Sequence, residues 1–242
     1  MPTGVICNSL AIALGGLLGA ALGGRLSDEF KAKLNLLFGI CAMGMGISSI
    51  ALMKNMPAVI LSLIAGTLIG IAVHLGRGIE RAGAALERGM ARLAPAPSRA
   101  RPAGQDQLMV TTIVLFCASG TGIYGSIVSG MMGDHSILIA KSILDLFTSM
   151  IFACTLGATV AAVAVPQFLI FMLLFACARL IYPLTTPVMI DDFKACGGFI
   201  LIATGLRIAK IKDFPIADMI PAMALVMPLS ALWTNCVMPL LG

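Results

Sequence analysis

The sequence predicts an all-α protein, a polytopic bundle of seven to eight transmembrane helices. Apolar side chains make up 59% of its 242 residues, another 26 are Gly, and only 11% are charged. A soluble domain is about a quarter charged, and this chain has too few polar residues to cover a soluble globule. The apolar residues also fall into runs near the ~20 that one bilayer crossing needs, with short polar connections between them. Basic residues, finally, gather in alternate connections. These features exclude a secreted disulfide scaffold, a disordered chain and a conventional nucleic-acid binder.

The first apolar run extends from Gly4 to Leu22, with no basic stretch before it, so it reads as a retained span and not a cleaved signal. The second covers Leu34 to Met53 and the third Pro57 to Leu75. The stretch Gly76–Leu93 carries too many charges to cross a bilayer. Its Ile79, Leu86 and Met90 recur at helical spacing, as in a helix lying along the cytoplasmic interface. Ala94–Asp106, with three Pro and two Arg, reads as a linker. It separates an N-terminal three-span part (residues 1–93) from a C-terminal part of four to five spans (107–242). The fourth span is Leu108–Met131 and the fifth Ser136–Leu156; the sixth runs from about Ala158 to Leu180. The seventh, Ala195–Ala209, is short, and the eighth, Ile216–Val237, contains Pro221 and Pro228.

Orientation follows from the basic residues, which concentrate on the cytoplasmic side. The net charge is +5, and six of the 16 basic residues lie between Arg77 and Arg101. With the N-terminus outside, twelve of them face inward and three outward, Lys141 lying near the outer end of a span. Eight spans then put both termini outside. The seven Cys are scattered through apolar stretches and form no C-x-x-C, so they read as packing residues.

Three places in the chain look alike. Asp28-Glu29-Phe30-Lys31-Ala32 leads through an apolar run to Lys54-Asn55-Met56-Pro57. Asp191-Asp192-Phe193-Lys194-Ala195 leads likewise to Lys212-Asp213-Phe214-Pro215, and a weaker copy joins Asp134, Lys141, Gly157 and Pro166. Gly15, Gly19 and Gly23 also match Gly122, Ser126 and Gly130 in spacing. The later copies start at spans of opposite direction to the first. That is the pattern of an inverted-topology repeat, common in secondary transporters.

Candidate functional residues come from polar groups inside apolar runs, which are costly there and mark a protein-facing interior. Lys141 and Asp145 stand four apart on one helical face, with Ser142 and Ser149 close to that stripe. Asn8, near the start of the first span, can hydrogen-bond across helices. Ser119–Gly125, rich in Gly and hydroxyls, is expected to unwind locally, so that Gly120, Thr121, Gly122 and Gly125 offer backbone groups to a ligand. Asp134, Asp191 and Asp192 read as helix caps or a cation site, the last two in a solvated turn before the seventh span. His74 and His135 share no ligand spacing with Cys, so no metal site is expected. No P-loop, H-E-x-x-H or G-x-S-x-G occurs, no cofactor is implied, and the chain is not read as an enzyme.

The residues Gly120 to Gly125, Gly130, Gly133-Asp134, Lys141-Ser142, Leu144-Asp145, Phe152-Ala153, Leu156-Gly157 and Gln167 resemble the YqgA-like family of bacterial inner-membrane proteins. So do Gly4, Asn8, Gly15-Gly16, Gly19 and Gly23 near the start, and Gly197-Gly198, Gly205-Leu206 and Ile220-Pro221-Ala222 near the end. Where that family carries an acid after the third span's glycines, this chain has Ile71-Ala72-Val73-His74. The resemblance implies a multi-pass protein of the bacterial inner membrane and is consistent with a transporter.

The expected function is therefore a secondary transporter or related carrier of a small solute or ion, built around the Lys141–Asp145 pair. The alternative is a non-transporting scaffold or sensor working through its Arg-rich cytoplasmic helix. Expected partners are the lipid bilayer, the small solute and a second copy of the chain as a dimer, suggested by the glycine rows, with no nucleic acid.

Overall fold

The computed structural model describes residues 1–22, 27–93 and 105–241. Among them every regular element is helical: α1 (Thr3–Leu22), α2 (Asp28–Ile50), α3 (Met56–Ala72), α4 (Leu75–Leu93), α5 (Gln105–Cys117), α6 (Gly120–Met132), α7 (Ser136–Leu156), α8 (Thr159–Ala162), α9 (Ala164–Ile181), α10 (Pro187–Ile208), α11 (Ile216–Leu232) and α12 (Met238–Leu241). Most of the expected linker lies outside the described residues. Among the described residues six helical stretches are long and apolar enough to cross a membrane; α3 with most of α4 makes a seventh if that pair, bent by 58°, counts as one. The chain is a multi-pass membrane protein.

Local sequence explains the breaks. Gly157, at φ 71°, ends α7 by donating its N–H to the Ala153 carbonyl, and the short α8 follows where the sequence offers no polar loop. Such a left-handed φ suits Gly, which has no Cβ to clash. The fourth predicted span is broken at Ala118-Ser119 into α5 and α6. There the Ser119 hydroxyl accepts from Gly122 N at 3.1 Å and caps α6. Gly120–Gly125, expected to unwind, is instead helical, and the break falls just before it.

Two helices start earlier than the hydropathy suggests. α2 begins at Asp28, behind a Ser27 hydroxyl that accepts from Phe30 N at 3.2 Å. α10 begins at Pro187, with Thr186 as N-cap. Pro fits the first helical turn, where its missing N–H costs nothing. Asp191, Asp192 and Lys194 thus belong to a helix and not to the turn before it.

Contacts divide the chain into two units, each assembled from two stretches: Met1–Asn35 with Arg77–Ala178, and Leu36–Gly76 with Arg179–Gly242. In the first unit α1 lies along α7 with both running the same way. Gly4 faces Leu138, Gly15 faces Leu146, and Gly19 faces Met150. A Cβ at Gly15 or Gly19 would collide with the facing carbonyl oxygen, so the two backbones touch. α6 and α9 also run the same way, Gly122 meeting Phe171 and Gly130 meeting Phe175 and Ala178. α1 turns Leu10, Leu14, Leu17 and Leu18 outward and buries Asn8, Ile12, Gly15 and Gly19. Its outer face is more apolar than its inner one. That is the arrangement of a helix solvated by lipid, where close packing and not the hydrophobic effect holds neighbours together.

The second unit pairs its helices head to tail. Gly39 of α2 meets Gly205 of α10, and Gly46 meets Gly198. Gly66 of α3 meets Ala222 of α11, and Gly70 meets Asp218. The Asp218 carboxylate also accepts from Gly76 N at 2.8 Å, tying down the first turn of α4.

Candidate functional site

Lys141, Ser142, Asp145 and Ser149 form the buried stripe of α7. Lys141 is 4% exposed and Asp145 6%. The Lys141 Nζ donates to Asp145 Oδ1 at 2.9 Å and lies 2.7 Å from Oδ2. Across from them, α1 presents Asn8, whose Nδ2 donates to Asp145 Oδ2 at 2.8 Å. Gln167 of α9 donates from Nε2 to Asn8 Oδ1 at 2.8 Å, and Ser9 donates from Oγ to Gln167 Oε1 at 2.6 Å. Asn8 and Gln167 are fully buried.

This cluster has a direction imposed by its charge. An ionised carboxylate only accepts hydrogen bonds, so Asn8 must turn its NH2 toward Asp145. Its carbonyl then faces Gln167, whose own carbonyl takes the Ser9 hydroxyl. The ammonium and the carboxylate neutralise each other, and the amides satisfy what remains. A lone charge here would be prohibitively expensive; a paired and hydrogen-bonded one is not.

The other predicted site residues sort by position. Ser142 Oγ donates to Leu138 O at 2.6 Å and Ser149 Oγ to Leu146 O at 3.0 Å, both within α7. Gly120, Thr121, Gly122 and Gly125 are buried on α6. Gly122 lies under the Phe171 ring, and Gly125 faces Ile137 and Leu138, one turn before Lys141. Asp134 accepts from Ser136 N at 3.0 Å at the start of α7. In the glycine rows, Gly15, Gly19, Gly122 and Gly130 are occupied by neighbours within the same chain, while Gly23 lies outside the described residues.

Asp191 and Asp192 belong to the second unit. Asp191 lies 3.9 Å from the Lys54 ammonium. Asp192 is fully buried on α10. Its Oδ1 accepts from Lys54 N at 2.8 Å and Asn55 N at 2.9 Å; its Oδ2 accepts from Asn55 Nδ2 at 3.0 Å and Ser230 Oγ at 2.6 Å. The Asn55 amide also reaches Thr234 Oγ1 at 3.0 Å. With four donors on it, this carboxylate holds the Lys54-Asn55 segment that leads into α3. Both units thus join an Asn side chain to an Asp 137 residues later in the chain, Asn8 to Asp145 and Asn55 to Asp192. Asp145 has Lys141 one turn before it; the same position before Asp192 holds Val188.

Sequence reasoning did not single out Ser9, Asn55, Ser230 or Thr234, and had Gln167 only through the resemblance. The missed signal was the same one that found Asn8: an isolated amide or hydroxyl near or inside a strongly apolar run. Among the described residues no group of three or more His, Cys, Asp or Glu side chains is placed to hold a metal.

Comparison with known proteins matches this chain to a family described as "Protein of unknown function (DUF554)", over residues 3–231. It is 47% identical to the "Uncharacterized protein YqgA" of Escherichia coli (strain K12), over 97% of this chain and 98% of that protein. It is 25% identical to the "Uncharacterized membrane protein YdfK" of Bacillus subtilis (strain 168), over 91% of this chain and 92% of the relative. No solved structure matches. A membrane-protein relative, a family match over almost the whole length and the apolar helices agree, and the chain belongs to the DUF554 family.

Proposed function

We propose that this protein is a secondary carrier of a small solute or ion in the bacterial inner membrane, with Asp145 as the group that binds the transported or coupling species. The observation that carries the reading is the buried Lys141–Asp145 pair, held by Asn8 of α1, which Gln167 of α9 holds in turn. Lys141 occupies both carboxylate oxygens. A proton, metal cation or substrate amine can take Asp145 only by displacing that ammonium. The empty site is thereby kept neutral, and binding becomes an exchange of one positive group for another. Paired intramembrane charges of this kind are a common device of ion-coupled carriers.

Helix directions support eight crossings. In the first unit α1 and α7 run the same way, which needs an odd number of crossings between them. α2, α3 and the α5–α6 span supply three, with α4 lying along the surface. In the second unit α3 and α11 run oppositely, which needs an even number; α5–α6, α7, α9 and α10 supply four. Leaving out either α3 or α10 breaks one of these parities. With eight crossings, the positive-inside bias favours both termini outside. The inverted-repeat reading is supported by α2–α3 and α10–α11, the two best-matched copies, which meet head to tail in one unit through Gly39–Gly205 and Gly46–Gly198. Repeats of opposite topology meet in this way in many carriers.

The test is charge displacement by the purified protein in proteoliposomes on a solid-supported membrane, after steps in pH and in sodium concentration. Wild type is expected to move charge and Asp145→Asn to move none. The charge-free pair Lys141→Met/Asp145→Asn, which strands neither partner, is expected to be equally silent while remaining folded. A silent wild type, or undiminished displacement in the folded double variant, would overturn the proposal.

A further inference from the structure

We infer that the outer face of α4 is a seat for the headgroups of anionic phospholipids. At about 100° per residue, Arg77, Arg81, Arg88 and Arg92 fall within about 60° of arc on the helix circumference. Arg77, Arg81 and Arg88 are exposed; Arg92 continues the row by register. The opposite face holds Ile79, Gly83, Leu86 and Met90, again within about 60° of arc. That face is occupied: Leu86 and Met90 pack against the buried cluster of Ile12, Met109, Ile113 and Phe116. A Cβ on Gly83 would lie 2.7 Å from Val114 Cγ2, so α4 sits hard against α5.

The helix cannot roll its arginines inward without giving up this packing. Glu80 and Glu87 fall to one side of the row, roughly a quarter turn from its midline, and no acid interrupts it. The row runs from residue 77 to residue 92, about 22 Å at 1.5 Å per residue, long enough for more than one headgroup. Its occupant follows from charge complementarity and place. α4 follows an apolar helix after only Val73 and His74, which holds it beside a bilayer. The anions that surface offers are lipid phosphates, which guanidinium groups bind through paired hydrogen bonds.

The test uses the full chain, purified and delipidated in detergent and titrated with short-chain phosphatidylglycerol, phosphatidylcholine or inorganic phosphate while its melting is followed. Phosphatidylglycerol is expected to raise the melting temperature, and the other two are not. Each Arg→Gln change along the row should weaken the apparent phosphatidylglycerol affinity about fivefold, and the variant with all four changed should lose the shift while eluting as wild type on gel filtration. An equal response to phosphatidylcholine, a response to free phosphate alone, an unaltered shift in the fourfold variant, or displacement of the lipid by an RNA oligonucleotide would each overturn the inference.

Discussion

At the scale of single residues, the Lys141–Asp145 pair makes a prediction that separates pairing from mere polarity. Lys141→Met alone leaves a carboxylate buried among apolar helices, with the Asn8 amide as its remaining side-chain donor among the described residues. Breaking one side of a buried pair costs roughly 3–5 kcal/mol, whereas replacing both charges is often nearly neutral. Melting in detergent should therefore fall sharply for Lys141→Met and recover in Lys141→Met/Asp145→Asn, where the carbonyl of the introduced amide can still accept from Asn8. Additive losses in the double variant would mean that the two charges do not depend on each other. The pair itself was legible in the sequence, because residues four apart on a helix must share a face. Asn8 was legible as a polar residue in an apolar run, but its partner was not. The links from Ser9 and Asn8 to Gln167 bridge 158 and 159 residues of chain. Nothing in one sequence ranks such distant pairings. Asp192 shows the opposite failure. Its charge argued for a solvated turn, since the backbone N–H groups that neutralise it come from the far end of the second unit's sequence.

At the scale of helices, the glycines are the controlling feature, and they are not equivalent. A Cβ on Gly66 would run into the Ala222 backbone, so Gly66→Ala must push α3 away from α11. Forced overpacking of this kind costs about 1–3 kcal/mol. Gly44, by contrast, has nothing within 4 Å of its would-be Cβ. There Gly→Ala only removes backbone freedom from the unfolded chain and should stabilise α2 by about 0.5–1 kcal/mol. Thermal unfolding of the two variants side by side, each against wild type, should move in opposite directions. Equal shifts would show that helix propensity, and not close approach, governs these positions. Element type was readable from apolar runs of span length. Element boundaries were less so. The start of α10 is marked by Thr186-Pro187, a cap signal that a reading by hydropathy passes over. The break between α5 and α6 was sensed in the Gly and hydroxyl content but misplaced, since Ser119 acts as a cap and the glycines beyond it serve packing.

At the scale of the whole molecule, the number of crossings is what a carrier mechanism depends on, because it fixes which face each end of every helix sees. Length and apolarity alone give six or seven candidate spans. The two helices that the proposed count of eight adds miss these criteria for a physical reason: α3 has only 17 residues, and α10 carries Asp191, Asp192 and Lys194 in its first turns. Neither feature prevents a crossing. A short helix is accommodated by local thinning of the bilayer at modest cost. The charges of α10 lie near one end, where Lys can snorkel and Asp192 is already bonded by donors from its own unit. The proposed eight crossings agree with both the parallel α1–α7 pair and the antiparallel α3–α11 pair. Reporter fusions put this to the test. A phosphatase active only outside the cytoplasm should be active when fused to either terminus and inactive when inserted at His74, between α3 and α4. A fluorescent protein that matures only in the cytoplasm should give the inverse pattern. Termini on opposite faces would require an odd number of spans, and one of the two helix pairs would then have to run in the other sense.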